Sequence, residues 1–182
     1  YKMAEAIAEG MLHATYKYDK FKSDRKEQTE ITVNYNPEKG KEDRAEKGVN
    51  EAVKLMEAVF LTRDLVNQPA NVIYPETLAQ IAKEKLEAKG VKVTVHGKKE
   101  IEKLKMEAFL NVARASTKEP KLIVMEYYNN PGSNEKIALV GKGLTYDSGG
   151  YAIKPATSMV DMFTDMGGSG TVIGAMHALA DL

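Results

Sequence analysis

The pattern of apolar residues along the chain predicts several helices. Apolar spacing or a continuous apolar composition indicates four of them: residues 1–16, 42–66, 100–106 and 170–182. A fifth helix is expected to begin at Pro75, which suits a first helical position, and to end at Gly90, which suits a C-terminal cap. The helix over 42–66 is the longest, and it stops before Pro69.

Runs rich in β-branched and aromatic residues predict strands between these helices: residues 30–35, 91–95, 108–113, 122–128 and 137–140. Turn-forming residues separate the last two runs, so we expect these two strands to pair antiparallel. The mixed order of strands and helices predicts an α/β fold with a mixed sheet covered by helices on both faces, a three-layer α/β/α arrangement. Sites in such folds favour the carboxyl ends of strands, and one such end is Val140.

The distribution of charge changes the picture of the last quarter of the chain. Residues 1–136 hold 46 charged side chains, whereas residues 137–182 hold 6, together with 8 of the 14 glycines. Because solvated surface is normally rich in charge, we expect this segment to lie in the interior. The few charges kept there need partners.

Composition excludes several classes of function. The 26 basic and 26 acidic residues balance, so the sequence lacks the basic excess that sequence-independent nucleic-acid binding needs. The absence of cysteine excludes disulfides and thiolate sites and fits a reducing compartment. No apolar run approaches the roughly 18–20 residues of a membrane span, and residues 1–10 show no basic n-region followed by an apolar h-region. Because the chain begins with Tyr1 rather than Met, we expect a piece of a longer protein.

The loop after Val140 holds the candidate chemistry, in the form of Lys142, Asp147, Lys154 and Asp165. Two carboxylates and two amines in a charge-poor segment could bind a pair of divalent metal ions. Lysine–aspartate pairs in loops are more often structural ion pairs, so this alternative stays open.

Two other interpretations of the same loop fit the sequence less well. Residues 147–150 resemble the tetrapeptide around the nucleophile of chymotrypsin-like serine proteases, but those proteins are built from β-barrels and this chain is rich in helices. The Gly-x-Gly patterns at 141–143 and 168–170 lack the third glycine of a dinucleotide-binding fingerprint. The glycine pairs Gly149–Gly150 and Gly167–Gly168 could equally serve positive φ angles or close packing.

The metal-binding signature of the leucyl (cytosol) aminopeptidases resembles residues 140–155 and 162–168, which run VGKGLTYDSGGYAIKP and MFTDMGG. The intervals of 5, 12 and 23 residues from Lys142 to Asp147, Lys154 and Asp165 match that family's pattern. Upstream, residues 63–71 are similar to the segment that opens the family's catalytic domain. The resemblance therefore implies three parts: the end of an α/β amino-terminal domain (1–36), a linker helix (37–66) and the first part of the catalytic domain (67–182).

The resemblance also implies a role for each matching residue. Asp147 would bridge two divalent metal ions, and Lys142 and Asp165 would complete the shell of the more tightly bound one. A lysine ligates only as the neutral amine, so Lys142 would have to lose its proton. Lys154 would stay charged and polarise the scissile carbonyl. Met162 would line the pocket for the first side chain of the substrate.

The implied function is hydrolysis of the amino-terminal residue, leucine or another apolar one, from peptide substrates by a metal-dependent aminopeptidase. The cofactors would be two divalent metal ions, zinc or manganese, with magnesium or cobalt also compatible, and a bicarbonate as general base. The resemblance further implies a cytoplasmic homohexamer. We expect no membrane association and no nucleic-acid partner.

Two departures from the family's pattern qualify this expectation. Phe163 stands where the family commonly has a basic residue, which alters the local electrostatics but removes no ligand. The family's remaining ligands, an Asp and a Glu, and its bicarbonate-binding Arg lie in an Asn-Thr-Asp-Ala-Glu-Gly-Arg segment that does not occur in these residues. We therefore expect the 182 residues alone to be inactive. The alternative is a degenerate relative that acts in DNA binding or assembly.

Overall fold

The computed structural model describes residues 1–25 and 30–182. In chain order the elements of these ranges are α1 (Lys2–Thr15), α2 (Glu42–Asn67), α3 (Pro75–Glu87), β1 (Lys92–His96), α4 (Lys98–Lys103), α5 (Glu107–Ala113), β2 (Leu122–Glu126), α6 (Ala156–Met159), a 3₁₀ turn (Met162–Thr164) and α7 (Gly167–Asp181). Contacts divide the chain into two units, residues 1–60 with Leu182 and residues 61–181.

The ends of α3 follow from its sequence. Pro75 occupies the first helical position, and the backbone N–H of Tyr74 donates to the Thr77 hydroxyl at 3.0 Å. After the helix, Gly90 takes a φ of +81°, which lets the N–H of Val91 donate to the Leu86 carbonyl at 3.2 Å. The predicted helix between Pro75 and Gly90 is confirmed.

Unit 1 buries small residues of two long helices. Its buried apolar residues are Ala4, Ala45, Ala52, Met56 and Ala58. The rings of Tyr16 and Phe60 also contact, with centroids 5.2 Å apart. The predicted strand over 30–35 is wrong: this segment is irregular, and Ile31 is 72% exposed. A strand needs a hydrogen-bonded neighbour, and no strand pairs with these residues in the described part of unit 1.

Unit 2 has a continuous apolar core to which most of its elements contribute. The buried members are Leu65, Ile73, Leu78, Ala82, Leu86, Val91, Val93, Met166 and Ile173. One face of α7 is buried, and the Thr62 hydroxyl on α2 donates to the Gly170 carbonyl at 3.2 Å. The core therefore fixes the first turn of α7, next to the candidate loop.

The sheet described in unit 2 pairs β1 with β2 antiparallel, with Lys92 opposite Glu126 and His96 opposite Leu122. The predicted strands at 91–95 and 122–128 are thus confirmed, but the predicted partner of the second is wrong. Residues 137–140 are irregular, and the side chain of Val140 is 94% exposed. Residues 108–113 belong to α5, not to a strand, because short apolar runs fit either structure and tertiary context decides.

The fold is therefore a mixture of helices with a small antiparallel sheet. The three-layer arrangement and the three domain ranges stay predictions. The expected interior location is wrong for residues 137–155, where most side chains are exposed or half-buried, whereas Met166 and Ile173 farther along are fully buried. Across 1–25 and 30–182, no helix combines the length and the apolar character that a membrane crossing requires.

Candidate functional site

The loop that carries Lys142 passes directly over the start of α7. The backbone N–H of Ser169 donates to the Lys142 carbonyl at 2.8 Å. A Cβ on Gly141 would lie 2.5 Å from the carbonyl oxygen of Gly168, and a Cβ on Gly168 would lie 2.8 Å from the backbone nitrogen of Lys142. Only glycine at both positions allows this approach. The Gly-x-Gly patterns therefore serve close packing of the backbone.

This crossing brings the Lys142 side chain to Asp165, 23 residues farther along the chain. The ammonium nitrogen of Lys142 lies 2.8 Å from both carboxylate oxygens of Asp165. The ion pair raises the pKa of Lys142, first through the hydrogen bond to Asp165. Oδ2 of Asp165 is buried, and within the described ranges no donor is aligned to it for a hydrogen bond, Lys142 included. This oxygen keeps free capacity to accept a further partner.

The second carboxylate, Asp147, is held from two sides. The N–H of Gly149 donates to one oxygen at 2.8 Å, and the ammonium of Lys154 lies 3.1 Å from the other. The pKa of Asp147 is lowered, first by the hydrogen bond from Lys154 and then by that from Gly149. The carboxylate therefore stays ionised.

A tight turn between Asp147 and Lys154 makes this contact possible. The Lys154 N–H donates to the Ser148 carbonyl at 2.9 Å, which folds the loop back on itself. Gly149 has a φ of +92°, and a Cβ there would lie 2.4 Å from the carbonyl of Ala152. Asp147 is thus paired with a lysine. The helices and the two-stranded sheet of the described residues do not support the serine-protease interpretation, which requires β-barrels.

The two ion pairs lie within one electrostatic cluster. The charge of Asp147 contributes to the raised pKa of Lys142, and the charge of Lys142 contributes to the lowered pKa of Asp147. The structure therefore brings together the four charged residues that the sequence singled out. In this arrangement they form ion pairs, as the structural alternative expected.

Met162 lies at the edge of this cluster, on the 3₁₀ turn. Its sulfur is 3.3 Å from the ammonium of Lys154, and its side chain is half-buried. Sequence reasoning missed Tyr146, whose hydroxyl donates to the Met159 carbonyl at 3.3 Å and ties the loop to the end of α6. Its position directly before Asp147 was the available signal.

The donor set matches a divalent cation in type but not in number. Asp147 and Asp165 supply carboxylate oxygens, and Lys142 supplies an amine that binds metal only after losing its proton. The raised pKa of Lys142 makes loss of the proton harder. The positive charge of a bound metal would have to outweigh the stabilisation that the two carboxylates give to the ammonium. No group of three His, Cys, Asp or Glu residues suited to a metal occurs in the portion of the chain that the structure describes. The three donors are therefore fewer than the four or more ligands that a divalent metal site normally has.

Residues 60–182 match the model of the cytosol aminopeptidase family, catalytic domain, and this range contains the whole cluster. The chain belongs to the cytosol aminopeptidase family. Among the curated relatives, a "Probable cytosol aminopeptidase" of Treponema denticola is 98% identical over 182 residues, and one of Clostridium tetani is 46% identical over 179 residues. The chain spans 38% and 37% of the lengths of those two relatives.

Solved structures show a similar fold. The bottromycin maturation enzyme BotP in complex with Mn matches this family member with a TM-score of 0.81 and 31% sequence identity, over 98% of this chain and 36% of that one. A second structure of the bottromycin maturation enzyme BotP matches with the same TM-score of 0.81 and 32% identity, over 97% of this chain and 35% of that one. The likeness supports a fold shared with BotP, one of whose structures is a complex with Mn.

Proposed function

We propose that this cytosol aminopeptidase chain carries part of the active site of a metal-dependent aminopeptidase. The observation that supports it is the cluster of Lys142, Asp147, Lys154 and Asp165 inside the family's catalytic domain. Peptides with an apolar amino-terminal residue are the proposed substrates. The reaction breaks the first amide bond, with water adding to the carbonyl carbon and a proton passing to the leaving amine.

Asp147, Asp165 and Lys142 would hold two divalent metal ions, zinc or manganese in the proposed form. When bound, such ions supply Lewis-acid activation for hydrolysis. The buried oxygen of Asp165 that lacks an aligned donor suits a ligand of this kind. Lys142 would hold a metal only as the neutral amine, which would require it to give up its proton and its ion pair with Asp165.

Lys154 acts on the substrate rather than on the metal. Its ammonium stays charged and stabilises the negative charge that develops on the oxygen of the scissile carbonyl. The contact with the Met162 sulfur places this charge beside an apolar side chain. Met162 therefore lines the pocket for the first side chain of the substrate and favours apolar residues there.

The shortage of ligands suggests that the rest of the longer protein completes the site. Three donors cannot supply the four or more ligands that each of two such metals normally takes. A further Asp, a Glu and a bicarbonate-binding Arg are proposed to come from outside these residues. The 182-residue chain alone is accordingly proposed to be inactive. The whole protein is proposed to be a cytoplasmic homohexamer.

The decisive experiment substitutes Asp147→Asn in the full-length protein and measures leucyl-amide hydrolysis together with bound metal. Asp161→Asn is the matched control, since Asp161 is a nearby exposed aspartate outside the cluster. We expect the first variant to lose both activity and at least one metal equivalent, and the control to keep both. Full activity and metal content in Asp147→Asn would contradict the proposal. A wild-type protein with neither metal nor activity would favour the degenerate DNA-binding or assembly role.

A further inference from the structure

A second concave site lies in unit 2, on the surface formed by α4, α5 and the segment before β2. It encloses about 550 Å³, within the range of small-ligand sites, and shares no residue with the aspartate–lysine cluster. Its lining includes charged residues of both signs together with Leu110, Ala113 and Pro120. The site is therefore suited to a small molecule that is both charged and partly apolar.

Some of the charges around this cavity already have partners. Lys98 lies 3.9 Å from Glu102, and Glu119 forms an ion pair with Lys121. Because the two opposite charges of each pair neutralise each other, the pairs offer little net attraction to a charged ligand.

Three other lining charges remain available. Neither Glu107 nor Arg114 has an ion pair with any residue in 1–25 or 30–182. The ammonium of Lys118 lies over the ring of Tyr74, 4.1 Å from its centroid, which fixes its position without cancelling its charge. The cavity thus offers one carboxylate and two cations.

The available charges are separated along one face of α5. Glu107, Leu110 and Arg114 follow at intervals of three and four residues, which places them on the same side of the helix. Arg114 keeps helical φ and ψ values, so the spacing extends to it. At 1.5 Å per residue, seven residues separate the carboxylate and guanidinium positions by about 10 Å along the axis. An apolar side chain stands between them.

We propose that this cavity binds a short zwitterionic peptide of about three residues. Three extended residues span about 10 Å, which matches the separation of positions 107 and 114 along the helix axis. The amino terminus pairs with Glu107, the carboxylate with Arg114 and Lys118, and an apolar central side chain packs on Leu110. A guanidinium suits a carboxylate because it donates two parallel hydrogen bonds. This inference does not depend on the proposed metal chemistry.

The test measures binding of Gly-Leu-Gly by calorimetry to the full-length protein carrying Asp147→Asn, so that hydrolysis does not consume the probe. N-acetyl-Gly-Leu-Gly and Gly-Leu-Gly-amide each lack one terminal charge, and free leucine is a shorter zwitterion. The protein variants are Glu107→Gln and Arg114→Gln. Lys103→Gln, on α4 outside the cavity, is the matched control. The side chains of Glu107, Arg114 and Lys103 are exposed, and thermal unfolding checks that each variant folds.

We expect Gly-Leu-Gly to bind at least about tenfold more tightly than either blocked peptide or leucine, a difference within reach of one charged contact. Arg114→Gln should abolish the preference for Gly-Leu-Gly over its amide. Glu107→Gln should abolish the preference for Gly-Leu-Gly over the acetylated peptide. Lys103→Gln should change neither preference. The proposal is overturned if the peptide does not bind, if leucine binds equally well, or if both cavity variants leave these preferences unchanged. If the test of Asp147→Asn contradicts the metal proposal but these binding preferences are observed, the cavity proposal is still supported.

Discussion

The backbone N–H of Ser169 donates to the carbonyl of Lys142 at 2.8 Å, which joins the first turn of α7 to the loop carrying a proposed metal ligand. The neighbouring Gly168 packs against the backbone of the same lysine. Asp165 directly precedes this turn and pairs with the Lys142 side chain. The geometry of the Lys142–Asp165 pair therefore depends on how closely two backbone segments approach.

Gly168→Ala tests this dependence. Its Cβ would lie 2.8 Å from the backbone nitrogen of Lys142, which forces the two segments apart. We expect a loss of about 1–3 kcal/mol in the free energy of unfolding and a metal affinity weakened about tenfold or more. Urea unfolding and metal titration of the full-length protein measure the two effects.

The matched control for this variant is Gly167→Ala, one residue earlier. The nearest atom to its Cβ is a methyl of Val66 at 3.9 Å, an ordinary contact. Alanine also favours the helical conformation by about 0.5–1 kcal/mol over glycine. We expect unchanged or slightly increased stability. Equal losses in the two variants would show that the approach of Gly168 to Lys142 does not matter.

The turn that positions Asp147 and Lys154 is tested by Gly149→Ala. Alanine there combines a positive φ with a Cβ 2.4 Å from the Ala152 carbonyl. We expect about 2–4 kcal/mol of destabilisation from strain and the clash together. Gly150→Ala is the control, since its φ of +73° carries the strain while nothing lies within 4 Å of the added Cβ. It should lose about 1–2 kcal/mol, and a loss as large as that of Gly149→Ala would contradict the clash.

Local signals in the sequence were enough to predict the long helices. The predicted helix 42–66 is observed as Glu42–Asn67, because amphipathic spacing sustained over many turns admits few alternatives. Pro75 and Gly90 marked the ends of α3 through backbone preferences of their own.

The strands were harder to predict because pairing is not a local property. β2 pairs with β1, about 30 residues earlier, rather than with the β-rich run at 137–140 that follows it. Residues 137–140 have the composition of a strand, yet the described chain offers them no neighbouring strand. The composition of a segment shows that it can form a strand, but the strand forms only where a neighbouring strand can pair with it.

The sequence singled out charged residues that the structure brings together, but it did not predict which lysine pairs with which aspartate. Spacing and resemblance singled out Lys142, Asp147, Lys154 and Asp165, and all four lie in one cluster. Which lysine faces which carboxylate depends on the turn at Gly149 and the crossing at Gly168, which are tertiary features. The roles of these residues toward metal and substrate stay proposals.

Stability should depend on pH through the cross-strand pair of Lys92 and Glu126, whose charged atoms lie 2.8 Å apart. The hydrogen bond from Lys92 lowers the pKa of Glu126, so this contribution is present above the unfolded value of about 4.3 and is lost as the pH falls through the folded pKa. The same bond raises the pKa of Lys92. That contribution is present below about pH 10.4 and is lost as the pH rises through the folded pKa.

Glu126→Gln should therefore unfold at lower urea concentration than the wild type at pH 7, with a difference that shrinks steadily toward pH 3. Urea unfolding at a series of pH values measures this. Glu135→Gln, at an exposed position between β2 and the candidate loop, is the control and should track the wild type throughout. A Glu126→Gln deficit that stays constant down to pH 3 would exclude the ion pair as its cause.

A partly buried ion pair connects the end of α7 to the residues that follow α3. The ammonium of Lys89 lies 2.6 Å from both carboxylate oxygens of Asp181, and the two side chains are 23% and 16% exposed. The imidazole of His177, which is buried, lies 3.5 Å from the same carboxylate. Because this pair is more buried than a surface pair, Asp181→Asn should cost about 1–3 kcal/mol, between the values for exposed and buried pairs.

A double-mutant cycle separates this pair from other effects of each substitution. It uses Lys89→Gln, Asp181→Asn and the combination of both, with unfolding measured in urea. We expect a coupling energy of about 1 kcal/mol or more, since the two groups contact directly. Glu102→Gln, which breaks an exposed pair at 3.9 Å from Lys98, is the comparison and should cost less than about 0.5 kcal/mol. Strict additivity of the Lys89 and Asp181 substitutions would mean that the contact contributes nothing to holding α7 in place, and that the apolar face of the helix does so alone.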